Sequence, residues 1–195
     1  MSERSDSING PYPIIDLFCG AGGLSHGFLQ AGFRPVAGID TDPRVKFAYE
    51  QNNGAPFIRA DVRDLDAAEI GALFGSSPIR ILGGCAPCQP FSTYTQAKDK
   101  SKDDRVDLSL HLLRLIREVQ PEIVVSENVA SYERSKAHHE LIAGLAELDY
   151  RVSTRIVDAY ELGVPQHRQR FVLIASRLGP VDCCELLGGG GPRTV

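Results

Sequence analysis

The chain has 195 residues, 43% of them hydrophobic, and a formal net charge of -4. That length carries one good core with no sign of a second domain, and no apolar run approaches the ~20 residues that span a bilayer. The polar residues 1–10 lack the apolar centre of a signal peptide, so an intracellular, cytoplasmic setting is the expectation.

Taken in order, residues 12–18 read as a buried strand, and Cys19-Gly20-Ala21-Gly22-Gly23 turns it into a helix over 24–30 that Gly32 stops. Residues 35–39 form a second strand ending at Asp40, and Asp42-Pro43 caps a helix through Asn52. A third strand over 57–60 ends at Asp61; Asp64 or Asp66 caps a helix that Gly75 closes. The fourth strand, 79–82, is expected to break at Gly83-Gly84, leading into the loop Cys85-Ala86-Pro87-Cys88-Gln89-Pro90. After a polar run over 95–107, the apolar residues Leu108, Leu112, Leu115, Ile116 and Val119 fall at helical spacing, and Pro121 ends that helix. A fifth strand over 123–126 is followed by Glu127-Asn128, a helix over about 138–148, and strands over 150–157 and 171–175. Strands alternating with helices predict an α/β, Rossmann-like fold, with a mostly parallel sheet and helices on both faces. The domain extends over 11–178, between a flexible tail at 1–10 and a Gly-rich tail at 179–195.

In such a sheet the carboxyl ends of the strands line the ligand crevice, and Asp16, Asp40, Asp61, Cys88 and Glu127 all lie near those ends. Pro87 and Pro90 fix two φ angles around Cys88, which suits a thiol that must attack one atom, although a lone cysteine near a strand end is more often a small buried hydrophobe. Five scattered cysteines do not make a disulfide framework. Cys85 and Cys88 lack the second pair or the histidines of a zinc site, so no metal is expected. The glycine-rich turn after the first strand lacks G-x-G-x-x-G spacing. It lets a ligand approach the backbone, with Asp40 placed for ribose hydroxyls and Asp61 for an adenine amine; each Asp can equally be an ordinary cap.

The ordered blocks D-L-F-C-G-A-G-G, A-G-I-D-T-D-P, A-D-V-R-D-L, A-P-C-Q-P-F-S, S-E-N-V and Q-H-R-Q-R-F, over residues 14–176, together resemble the cytosine-C5 DNA methyltransferase family. The resemblance implies a methyltransferase that uses S-adenosylmethionine on a cytosine flipped out of DNA, in the setting of restriction and modification. Phe18, Gly20, Gly22, Gly23, Asp40, Thr41, Asp61, Val62, Pro87 and Leu108 would hold the cofactor. Cytosine C5 is a poor nucleophile, and Cys88 matches the thiolate that adds to C6 to activate it. Glu127 matches the acid that bonds ring N3 and the exocyclic amine, and Arg168 the guanidinium that orients the base. Arg170 would be its structural or phosphate-binding neighbour, Asn128 would fix the backbone near Pro87 and Cys88, and Gln89, Ser92 and Arg105 would face the substrate. Residues 94–107 match a mobile segment that closes over the base.

Family members continue beyond the Arg168–Arg170 block with a target-recognition region and two further blocks, and no such stretch is visible here. Together with the net charge of -4 this predicts a second polypeptide that supplies recognition, and an exposed apolar patch near the sheet edge. Two alternatives stand: a fragment that binds cofactor or a partner without turnover, and C5 methylation of tRNA or a small cytosine nucleotide.

Overall fold

A computed structural model describes residues 11–86 and 108–183. Strand β1 (Pro13–Leu17) leads through the glycine-rich turn into helix α1 (Gly23–Gln30) and back to β2 (Arg34–Asp40). Asp42 then caps a 3-10 turn by accepting the Arg44 N–H, and α2 (Lys46–Asn53) continues from it. After β3 (Phe57–Arg59) a 3-10 turn (Val62–Asp64) precedes α3 (Ala67–Leu73), whose N-cap is Asp66, accepting from the Ala68 and Glu69 N–H groups. Strand β4 (Ile81–Gly84), helix α4 (Leu108–Val119), β5 (Ile123–Val129), α5 (Lys136–Glu147), β6 (Arg151–Asp158) and β7 (Gln169–Ser176) complete the order.

The seven strands form one sheet in the order β3-β2-β1-β4-β5-β7-β6. Strands β1 to β5 pair in parallel, and β7 runs antiparallel to both β5 and β6. Strand order reverses between β1 and β4, and a crevice opens at the carboxyl ends beside that reversal. Helices cover both faces, as adjacent glycines of β4 record. A Cβ on Gly83 would lie 3.0 Å from Leu24 of α1, whereas one on Gly84 would lie 3.2 Å from Leu112 of α4. Successive strand residues point to opposite faces, so α1 and α4 lie on opposite sides.

These two glycines correct the expected break at Gly83-Gly84: they pair with Asp16 and Leu17 inside the strand, where their lack of side chains admits a helix on each face. Likewise Glu127 and Asn128 belong to β5 rather than following it, because the antiparallel pairing with β7 extends to Val129. The core under α4 holds Leu112, Leu115 and Ile116 against Leu17, Leu82, Val124 and Phe171. Each such side chain contributes roughly 1.5–3 kcal/mol by leaving water. Packing continues to Cys183, fully buried, which donates its backbone N–H to Ser153 of β6.

Candidate functional site

The carboxyl ends of β1, β2 and β4 enclose a cavity of about 350 Å³ lined by Leu17, Phe18, Ile39, Asp40, Thr41, Ala60, Asp61, Val62, Arg63, Cys85 and Leu108. Six of the residues expected to hold a cofactor, Phe18, Asp40, Thr41, Asp61, Val62 and Leu108, are therefore brought together. Phe18 adopts φ +58, a left-handed conformation that costs a residue with a Cβ about 1 kcal/mol and turns the chain at the cavity mouth. Asp40 is held by two backbone N–H donors, Gly20 to Oδ2 at 3.0 Å and Asp42 to Oδ1 at 3.0 Å, and each oxygen keeps a lone pair for a ligand. Asp61 caps its 3-10 turn and takes Arg63 Nη2 at 2.6 Å, which holds its carboxyl below the usual range.

Gly20, Gly22 and Gly23 do not line the cavity. Gly22 has φ +90, and a Cβ there would meet Asn53 Nδ2 at 2.1 Å and the Tyr49 ring at 2.8 Å. At Gly22 what approaches the backbone is thus α2, whereas a Cβ on Gly20 or Gly23 would meet nothing within 4 Å. Beneath the turn, Asp16 accepts from the Ser25 N–H and hydroxyl, and Ser25 meets the Tyr49 hydroxyl at 3.1 Å. Burial raises the Asp16 carboxyl to about 6, against the lowering effect of the Ser25 hydrogen bonds, and its Oδ1 has no hydrogen-bond partner among the described residues.

Beside the cavity, Glu127 of β5 pairs with Arg170 of β7, Nε to Oε1 at 2.7 Å, both partly buried. Sequence reading placed Arg168 next to the base and Arg170 as its neighbour; the structure puts Arg170 against Glu127. Arg168 stands exposed just before β7, with its backbone N–H donating to Asp158. Two β5 side chains grip the exit of β4: Ser126 Oγ donates to the Gly84 carbonyl at 2.8 Å, and Asn128 Nδ2 to the Ala86 carbonyl at 3.0 Å, immediately before Pro87. Pro87, Cys88, Gln89, Ser92 and Arg105, with the segment 94–107, lie outside the described residues. Sequence reasoning missed Arg63 and Cys85 as lining residues; Arg63 was signalled only by its place two residues after Asp61.

A mostly parallel seven-stranded sheet with a strand-order reversal, one antiparallel strand and helices on both faces is the fold of S-adenosylmethionine-dependent methyltransferases, and the cavity with an acid at the end of each of two neighbouring strands lies where that fold places its ligand. Within that class the chain belongs to the C-5 cytosine-specific DNA methylase family, whose family model matches residues 12–180. It is 43% identical over 171 residues to the Type II methylase M.HgiDII of Herpetosiphon aurantiacus, covering 86% of this chain and 48% of that protein. It is 36% identical over 167 residues to the Type II methyltransferase M.HgiDI of the same organism, covering 86% and 53%. Among solved structures, a putative DNA modification methyltransferase encoded within a prophage of E. coli superposes with a TM-score of 0.70 at 29% identity, over 84% of this chain and 46% of that one. The S. pombe Dnmt2 methyltransferase superposes with a TM-score of 0.72 at 23% identity, over 90% and 53%. The chain thus spans about half the length of the curated relatives it matches. Among the described residues no helix is long and apolar enough to cross a membrane, and no cluster of side chains is suited to a metal ion.

Proposed function

We propose that this chain is the cofactor-binding and catalytic part of an enzyme that methylates C5 of a cytosine flipped out of DNA, inside the cell. The observation that carries this reading is the Glu127–Arg170 pair at 2.7 Å, set beside a cavity whose wall suits an adenosyl group. Of the residues lining it, apolar Phe18, Val62 and Leu108 would hold the adenine, Asp61 would accept its amine, and Asp40, fixed by two N–H donors, would accept ribose hydroxyls. S-adenosylmethionine, when bound, supplies an electrophilic methyl group.

Glu127 bonds the base at N3 and the exocyclic amine, and Arg170, rather than Arg168, is the guanidinium that orients the base beside it. Cys88 adds as a thiolate to C6; the electron pair of the C5–C6 double bond moves to C5, which becomes the nucleophile. Asn128, bonded to the Ala86 carbonyl, steadies the backbone that leads into this cysteine. Arg168, exposed beside Asp158, is left for phosphate contact.

Reading of the target sequence is assigned to the half of the family's length that this chain does not span, on the same polypeptide or a second one. The exposed side chains Ile156, Leu162 and Val164 along and after β6 support a covering partner there. The test is covalent capture on DNA carrying 5-fluorocytosine. A cofactor-dependent adduct that disappears in Cys88→Ala is the expected result, and no adduct in any pairing with a recognition half would overturn the reading.

A further inference from the structure

Between β4 and β5 the register pairs run from Ile81–Ile123 to Gly83–Val125 and end there, whereas on its other side β5 stays paired with β7 out to Val129. Glu127 therefore stands beyond the last register pair that joins its strand to β4. Two side chains carry the connection on: Ser126 Oγ donates to the Gly84 carbonyl at 2.8 Å, and Asn128 Nδ2 to the Ala86 carbonyl at 3.0 Å. Both residues are only 3% exposed, so removing either donor leaves a carbonyl one partner short where water is a poor substitute.

Ser126 and Asn128 flank Glu127 on β5, and the carbonyls they grip flank Cys85, a residue of the cavity wall whose N–H donates to the Leu17 carbonyl of β1. The two bonds form a bracket, with the acid at its centre on one strand and the cavity wall at its centre on the other. Side chains alternate along a strand, so Ser126 and Asn128 point to the face opposite Glu127 and act on it through the backbone. Arg170 fixes the carboxylate itself from the β7 side.

We propose that Ser126 is a positioning residue: its bond to the Gly84 carbonyl sets where Glu127 stands relative to the cofactor cavity, and so how strictly the site takes cytosine rather than uracil. This rests on the reading of Glu127 given above. The carboxyl group meets cytosine at N3, an acceptor, and at the exocyclic amine, a donor; uracil reverses both, with an N3–H and a C4 carbonyl. Discrimination depends on where Glu127 is held, whereas thiolate addition at C6 is common to both rings. Asn128 grips the carbonyl just before Pro87 and so bears on the cysteine as well; Ser126 grips the chain upstream of the cavity wall.

The first test uses this chain and follows hydrogen exchange of the Cys85 amide by NMR. Ser126→Ala is expected to speed that exchange at least about tenfold, and Ser126→Thr, which keeps the hydroxyl, to leave it within about threefold. Exchange unchanged in Ser126→Ala overturns the proposal. The second test uses the active methyltransferase on DNA carrying 5-fluorocytosine or 5-fluorouracil at the target position. Ser126→Ala is expected to lower the ratio of adduct formation rates, cytosine over uracil, at least about fivefold, with S-adenosylmethionine affinity within about twofold and the ratio restored in Ser126→Thr. Ser176→Ala is the control: it removes a buried hydroxyl that accepts the Leu178 N–H, beside Ile123 at the far end of the sheet, and should cost stability with the ratio unmoved. Equal losses on both bases would mean that Ser126 steadies only the cysteine, and overturn the proposal. Absence of any adduct in the parent overturns the cytosine reading and with it the fidelity claim; it is told apart from failure of the bracket by the exchange result, which needs no substrate.

Discussion

Arg170 reaches Glu127 diagonally across the antiparallel β5–β7 pairing: Glu127 is opposite Val172, and Arg170, two residues earlier on β7, leans across to bring Nε within 2.7 Å of Oε1. Arg168 precedes the strand and gives only its backbone to Asp158. In the assembled methyltransferase, Arg170→Ala is therefore expected to lower the rate of adduct formation with 5-fluorocytosine DNA about a hundredfold, and Arg168→Ala less than tenfold. Single-turnover capture on a gel measures both; equal losses would remove the distinction.

Cofactor affinity should follow the cavity. Asp40→Ala is expected to weaken S-adenosylmethionine binding at least about tenfold in calorimetric titration. Asp42→Ala is the control: its exposed carboxylate is occupied by Arg44, at 2.7 Å from Nη2, and binding should stay within about twofold.

Tyr49 leaves no room on β2. A Cβ at Gly38 would lie 2.2 Å from its ring, and that ring is fully buried, so Gly38→Ala should destabilise the fold by about 1–3 kcal/mol in urea unfolding. Adding Tyr49→Ala should make the two changes non-additive, because the clash is then gone.

The buried Asp16 gives stability a defined pH dependence. Its carboxyl is raised to about 6 in the fold from 3.8, so the folded state binds the extra proton between these values. The contribution is fully present below about 3.8 and is lost as pH rises through 6. Asp16→Asn, which cannot ionise, is expected to be more stable than the parent near pH 8 by about 1–3 kcal/mol, with the difference closing toward pH 4. Unfolding midpoints across pH measure this; a gap that widens on acidification would reverse the sign.

The alternation of strands and helices was legible because each apolar run carried its own period and stop signals, as with α4 before Pro121 and α1 before Gly32. The acids at strand ends were legible for the same reason. What local pattern could not reveal was anything set by neighbours. Gly83 and Gly84 look like a break until Leu24 and Leu112 are packed on either side of them. Gly22 looks like a ligand's landing place until Tyr49 and Asn53 occupy that space. Arg168 and Arg170 are equivalent in sequence, and only the pairing of β7 with β5 separates them. Cys85 drew notice as half of a C-x-x-C, while its place in the cavity wall follows from its backbone N–H donating to the Leu17 carbonyl of β1.

The carboxylate sits where β5 reaches the crevice rim and the guanidinium where β7 sets out from it, so the pair is carried on segments travelling in opposite senses. Everything strung between them, α5 and β6 included, is a detour whose length the pair does not feel. Insertions or deletions at the far turns of that detour should leave the acid–arginine couple in place, which makes those turns the natural points for grafting a reporter or a tether onto this protein.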